Sequence, residues 1–336
     1  MSNNKPFCLH RIRQLASRLG TDQKLLERVA EMLVRGEREE FINQFTIVDP
    51  TGKRKNRDVL AIKGDLRFIQ RRLLNRLFAP SLVPSQSSHG CIRNRSIKTN
   101  AIEHVNSRFT YSTDIASFYP SIHNDRVFKF FRRSGCHFSV ARILTTLTTL
   151  DHHLALGQIT SPILAEAIFH DVDQRIAAVC KKMELVYTRY VDDICISGKF
   201  DLSESGIAAT ANSIVKEHGF RIRSSKDKYS SIDDECSITG VRIRRGRLDV
   251  IPNYLNELLE DIAEARRIAA GDLPTRLFYT KEQLWGRVQF VRWLNVGRSR
   301  SLLAAFRSVN WSDHRSESLL RGLIRTRLQF IPVNTN

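Results

Sequence analysis

The chain has no long apolar run. No stretch approaches the roughly 18 apolar residues that cross a bilayer, and Met1-Ser2-Asn3-Asn4-Lys5 has none of the apolar core of a signal peptide. A cytoplasmic protein with no membrane partner is expected. The six cysteines (Cys8, Cys91, Cys136, Cys180, Cys195, Cys236) are scattered without a Cys-x-x-Cys pair, so neither a disulfide framework nor a zinc site is indicated. Repeats and low-complexity tracts are also missing. Acid is scarce relative to base, with 35 Asp and Glu against 53 Lys and Arg. The excess forms local clusters at Lys53 to Arg57, Arg67 to Arg76, and nine arginines between Arg287 and Arg327. A polyanion is the expected partner, and nucleic acid fits better than an anionic membrane. With 42% hydrophobic residues in 336, there is ample material for a core in one large domain or two to three lobes.

Periodicity divides the chain. Leu15, Leu19, Leu25, Leu26, Val29 and Leu33 recur at helical spacing, with Thr21-Asp22 as a cap. Phe45 to Lys53 and Arg57 to Ile62 read as the arms of a hairpin turning at Pro50 to Gly52, which makes a basic tip. A basic helix over 64 to 78 and a Ser/Pro-rich loop from Pro80 to His89 follow. Phe109 to Ile115 is β-branched and aromatic, a strand. Asn124 and Asp125 are expected to cap a helix that Gly135 ends, and Ser161-Pro162 to open another with Ile163, Ala167, Ile168, Val172, Ile176 and Val179 on one face. A helix near 203 to 218, strands at Phe220 to Ile222 and Ser237 to Ile243, and a helical, Arg-rich region from about 251 complete an α+β pattern.

Tyr190-Val191-Asp192-Asp193 lies between the β-forming runs Leu185 to Tyr190 and Ile194 to Ser197. That reads as a hairpin with an acidic tip. Asp-Asp pairs are often solvated turns, and Asp233-Asp234 is read as one. With Asp114 as a third carboxylate, however, Asp192 and Asp193 make a set that can hold two divalent ions about 3.5–4 Å apart for in-line attack on a phosphate.

In order and spacing these segments resemble the palm of a reverse transcriptase, more narrowly a retron-type enzyme, over roughly residues 50 to 300. Asp114-Ile115-Ala116-Ser117-Phe118-Tyr119-Pro120-Ser121-Ile122 is similar to the family's first catalytic block, Gly157 with Thr160-Ser161-Pro162 to its second, and Tyr190 to Asp193 to its third. Lys226 stands where the family has a lysine after the hairpin. Asn100-Ala101-Ile102-Glu103-His104 fits the retron Asn-Ala-x-x-His pattern, and Ile238-Thr239-Gly240 fits Val-Thr-Gly with one conservative change. In the second block the family's glutamine before Gly157 is Leu156 here, and Gln158, two residues displaced, does not inherit its role.

The resemblance implies a right-hand polymerase fold: an N-terminal helical layer (1–45), fingers (46–110), a palm of antiparallel sheet with packed helices (111–250), and a helical thumb (251–336). It implies Asp114, Asp192 and Asp193 as catalytic metal ligands for two Mg²⁺ ions, with Mn²⁺ as substitute. Tyr119 matches the gate against a ribose 2′-OH, with plain core packing as the alternative. Tyr119, Lys55, Arg57, Gly157 and Lys226 would contact dNTPs. Asn100, His104, Thr239, Arg287 and Arg292 would contact RNA. For His104 a structural or RNA-positioning role is favoured over acid catalysis; for Trp285 and Trp293, beside those arginines, helix packing is favoured over base stacking. The implied activity is an RNA-directed DNA polymerase of a bacterial retron. It would copy a cognate structured non-coding RNA (msr-msd) into short single-stranded DNA (msDNA) from a guanosine 2′-OH, in anti-phage defence with a separate effector protein, host RNase H removing the template. The rivals are a reverse transcriptase of a group II intron or diversity-generating element, a non-enzymatic RNA-binding protein with a palm-like fold, and a metal nuclease.

Overall fold

The computed structural model describes residues 6–48, 56–231, 236–244, 246–273, 279–311 and 329–332. In chain order, α1 (Ile12–Leu19) and α2 (Gln23–Val34) precede the hairpin arms β1 (Ile42–Val48) and β2 (Arg57–Ile62); α3 (Gly64–Arg72) widens into a π-helical turn and ends in α4 (Ala79–Ser81). Next come α5 (Ile97–Ile102), β3 (Phe109–Asp114), α6 (Asn124–Arg133), α7 (Phe138–Thr148), α8 (Ser161–Lys182), β4 (Val186–Tyr190), β5 (Asp193–Gly198), α9 (Ile207–Glu217) and β6 (Lys228–Ser231). β7 (Ser237–Ile238), β8 (Val241–Arg244) and β9 (Arg247–Val250) lead to α10 (Pro252–Ala269), α11 (Lys281–Leu294), α12 (Val296–Arg307) and β10 (Gln329–Pro332).

The antiparallel sheet β4-β5-β3-β6 is the platform. Tyr111, Ile194 and Ile196 of its strands, with Leu164, Phe169, Val172 and Ile176 of α8, belong to one core that runs through to α1 and α2. The small sheet β7-β8-β9 shares a second core with α10–α12, in which Val241, Ile243 and Val250 meet Leu258, Val288 and Leu302. Among the described residues no helix is long and apolar enough to cross a membrane.

Local chemistry set some of the helix ends. Asp22 caps α2 by accepting from the Lys24 backbone N–H, and Gly20 closes α1 at φ +65°. The residue before each expected cap takes the N-cap position elsewhere: His123 rather than Asn124 for α6, Thr160 rather than Ser161 for α8. The buried stripe of α8 is accordingly Leu164, Ala165, Phe169, Val172, Asp173, Ile176 and Cys180, while Ile163, Ile168 and Val179 are only half-buried. The expected stripe had excluded charge, and the helix turns Glu166 and Asp173 inward because an arginine waits there. α9 begins at Ile207, after Gly206 at φ +72°. Phe220 to Ile222 contributes a single bridge, Ile222 to Ile115, instead of a strand, and the fourth strand of the sheet is β6. The C-terminal region is not helical throughout: β10 pairs antiparallel with β1, Phe45 opposite Pro332. The expected turn at Pro50 to Gly52 lies outside the described residues.

Candidate active site

Antiparallel register brings the carboxylates together. β3 runs against β5 with Asp114 directly opposite Asp193, and facing residues on an antiparallel pair project from the same side. Tyr190 pairs with Asp193, so Val191 and Asp192 form the two-residue turn of the acidic hairpin. Val191 sits at φ +60°, a conformation a β-branched residue rarely adopts. The Ile115 N–H donates to the Asp192 carbonyl at 2.9 Å and locks that turn to the end of β3.

Asp114 is 3% exposed. Lys226 Nζ donates to its Oδ2 at 2.6 Å, Arg223 Nη1 stands 3.5 Å away, and the Arg223 N–H donates to its carbonyl. The other oxygen, Oδ1, is buried without a hydrogen-bond partner. Asp193 is open to solvent on one side, yet closure by protein on the other, then the negative charges of Asp192 and Asp114, raise its carboxyl to about 6 against the opposing pull of Lys226. Among the described residues no three His, Cys, Asp or Glu side chains form a preformed metal cage. This donor set still fits Mg²⁺, which takes hard oxygen ligands, keeps waters and needs only one or two carboxylates beside phosphate oxygens; the orphaned Asp114 Oδ1 is the acceptor such an ion would satisfy.

The loop after Asp114 is not extended. Ser117 takes φ +48°, and residues 117–121 form a turn rather than extended chain. Phe118 and Tyr119 consequently do not point to opposite faces; their rings lie 5.6 Å apart. Phe118 is buried at 5.4 Å from Phe169 and 6.0 Å from Phe220, while Tyr119 is half-buried with its hydroxyl in the field of Asp192, and burial raises its pKa. Gly157, at φ +101°, lies against β2 so closely that a Cβ would overlap the Leu60 carbonyl oxygen, and the Leu60 N–H donates to the Leu156 carbonyl at 3.2 Å. The Leu156 side chain is 45% exposed; Gln158 is buried and accepts from the Ser161 hydroxyl.

The family description "Reverse transcriptase (RNA-dependent DNA polymerase)" matches residues 53–243, more than half of the chain. The chain belongs to the reverse transcriptase family. Its fold is the right-hand polymerase fold, with the β3–β6 sheet as palm. Within the family the resemblance is to retron enzymes. The chain is 30% identical to the retron Mx65 reverse transcriptase of Myxococcus xanthus over 54% of its own length and 47% of that protein's. It is 28% identical to the retron Se72 enzyme of Salmonella heidelberg (69% and 61%) and 27% to the retron Ec86 enzyme of Escherichia coli (58% and 58%). It thus spans about half to three-fifths of the length of these curated relatives.

The two retron-like elements of the chain meet in space. Asn100 Nδ2 donates to Thr239 Oγ1 at 3.3 Å, with Asn100 buried and Thr239 half-buried in a turn at φ +48°. His104 has no exposed surface and cannot touch RNA directly. Its Nδ1 and Nε2 exchange hydrogen bonds with Ser197 (2.6 Å) and Thr188 (2.7 Å), tying the end of α5 to β5 and β4, and burial holds its pKa down to about 3. Arg287 is also not an RNA-facing group: it is ion-paired with buried Asp261 and covered by the rings of Tyr254 (5.0 Å) and Tyr279 (4.6 Å). Arg292 is exposed. Trp293 and Trp285 are 44% and 41% exposed, each with one side packed, on Phe290 and Phe306 respectively. Lys55 lies outside the described residues, and Arg57 opens β2 opposite Ile47.

Sequence reasoning missed Arg189. It is 1% exposed and bound to two buried carboxylates of α8, to Asp173 through Nε (2.8 Å) and Nη2 (2.6 Å) and to Glu166 through Nη2 (2.7 Å). Tyr187 donates to Asp173, and Glu166 accepts from the Ser85 N–H and the Ser88 hydroxyl. One signal was present: an arginine among apolar and aromatic residues in a strand whose neighbours face inward.

Proposed function

We propose that this chain is an RNA-directed DNA polymerase of a retron, which copies a cognate structured non-coding RNA (msr-msd) into short single-stranded DNA primed from a guanosine 2′-OH. The observation that carries the reading is Asp114, a buried carboxylate with one oxygen unpartnered, opposite Asp193 and joined through its neighbour to the turn holding Asp192. Asp114 and Asp192 hold the divalent ions, with Asp193 beside them. When bound, Mg²⁺ (or Mn²⁺) lowers the pKa of the attacking hydroxyl and neutralises the leaving pyrophosphate. Lys226 is half exposed on Asp114 Oδ2, and its mobile ammonium also serves the incoming triphosphate. Tyr119 excludes a ribonucleotide by filling the space of its 2′-OH. Gly157 joins the finger strand to the nucleotide pocket, and Arg57, with Lys55, supplies charge to the triphosphate. Half-buried Thr239 and exposed Arg292 form part of the RNA-binding face, with buried Asn100 holding Thr239 in place and His104 supporting it from below. The setting is the bacterial cytoplasm, in anti-phage defence with a separate effector protein, the template being removed by host RNase H.

Asp192→Asn keeps the side chain's size and removes its charge. DNA synthesis on a primed RNA template should be lost while RNA affinity stays at the wild-type level; activity within a few-fold of wild type would overturn the two-metal assignment. For the retron reading, the nucleic acid that co-purifies with the protein is sequenced. DNA joined 2′,5′ to one guanosine of a single RNA species is expected, and bulk cellular RNA without DNA would refute it.

A further inference from the structure

The turn that carries Asp192 is strained, and it is held from inside the protein. Val191 adopts φ +60°, and its carbonyl accepts from Arg189 Nη1 at 2.7 Å. The rest of the guanidinium is fixed by Asp173 and Glu166 of α8, so the anchor for the turn is set by a helix and not by the hairpin itself. On the other side the loop before α5 closes over the same residue. The His89 N–H donates to the Arg189 carbonyl, and the Arg189 N–H to the Ser87 carbonyl, both at 2.7 Å. Gly90 lies so near Val191 that a methyl group there would collide with the Val191 nitrogen and side chain. Glu166 joins the two supports, since the carboxylate that holds Arg189 also accepts from Ser85 and Ser88 of that loop.

We infer that Arg189 is a positioning residue for DNA synthesis: through its bond to the Val191 carbonyl it keeps the strained turn in the one shape that presents Asp192 beside Asp114. The inference rests on the reading above that Asp192 is a metal ligand. A β-branched residue stays at positive φ only when its surroundings over-determine it. Without the anchor the turn relaxes and the carboxylate moves, and a displacement of about 1 Å at a reacting centre can cost on the order of 10²-fold in rate.

Arg189→Lys retains the buried charge but has no planar fork with which to serve two carboxylates and a carbonyl together. The expected result is a folded protein with wild-type RNA affinity, a kcat lower by on the order of 10²-fold, and a higher Mg²⁺ concentration for half-maximal synthesis. Rescue separates positioning from mere structural support. In a Val191→Gly background the turn is unstrained without its anchor, so Arg189→Lys should there cost at least tenfold less than it does alone, a coupling that a double-mutant cycle reads directly. Should Arg189→Lys fail to fold, Gly90→Ala presses on the same turn without disturbing the buried charges and should give the same loss of kcat and the same shift in Mg²⁺ dependence. Folded Arg189→Lys or Gly90→Ala with wild-type kcat and Mg²⁺ dependence, or equal losses in the two backgrounds, would overturn the inference. An active Asp192→Asn would instead remove the functional reading beneath it.

Discussion

Gly157→Ala tests the close approach of β2 to the loop before α8. Two costs add. At φ +101° an L-residue is strained by about 1–2 kcal/mol. The new methyl group would also overlap the Leu60 carbonyl oxygen, which is backbone and cannot rotate away, so an overpacking cost of about 1–3 kcal/mol follows. If β2 moves off to relieve the overlap, the hydrogen bond from Leu60 to the Leu156 carbonyl weakens and forfeits about 1 kcal/mol instead. The expected destabilisation is roughly 2–5 kcal/mol, measured as a lower urea midpoint at unchanged m-value and, on the proposed function, with a several-fold rise in KM for dNTP as β2 shifts. Gly206→Ala is the control, because Gly206 has a similar positive φ of +72° but nothing within 4 Å of the added carbon. It should lose only the conformational part. If Gly157→Ala is no worse than Gly206→Ala and leaves KM unchanged, β2 does not lie on the loop as described.

Truncating the two neighbouring aromatics should give unlike results. Tyr119→Ala should keep dNTP incorporation at reduced efficiency and raise rNTP incorporation by roughly ten- to a hundredfold in kcat/KM, whereas Phe118→Ala, emptying a site between Phe169 and Phe220, should cost about 3–5 kcal/mol of stability without changing sugar preference; the opposite pattern would put the gate at Phe118. Burial holds His104 near 3 and, with Arg95 adding to it, His89 near 4, both below the unfolded value of 6.5. The unfolded chain therefore binds more protons below about pH 6.5, and stability should fall on acidification by up to about 1.4 kcal/mol per pH unit for each histidine until the folded pKa is passed. Denaturation midpoints that stay flat from pH 7 to 5 would contradict this. Because many phosphates should be neutralised by Lys and Arg, a plot of log RNA affinity against log salt should have a slope of several units; a nearly flat response would mean that the basic surface serves another purpose.

Features that depend on neighbours in the chain were legible before the structure. The hairpin with Asp192 and Asp193 at its tip, the strand ending at Asp114, and the Asp22 cap each follow from a short run of residue types with one dominant local preference. The orientations of Phe118 and Tyr119 were not legible locally, because Ser117 turns the chain at φ +48° and the period-two rule holds only in extended backbone.

What the sequence determined by itself is thus the acidic tip, the polyanion-seeking charge, and through motif spacing the family. The tertiary structure alone decided which charges are inside. Arg287 reads as one more member of a basic surface, and Arg189 carries no local mark of its partners, yet Arg189 is buried and Arg287 largely covered, since Asp173, Glu166 and Asp261 reach them from other helices and supply the Coulomb energy and hydrogen bonds that covering a cation requires. The same holds for the ion pair of Asp114 with Lys226. Composition and local propensity carry no information on such pairings, because the partner that makes a buried charge affordable is set by the packing of distant segments.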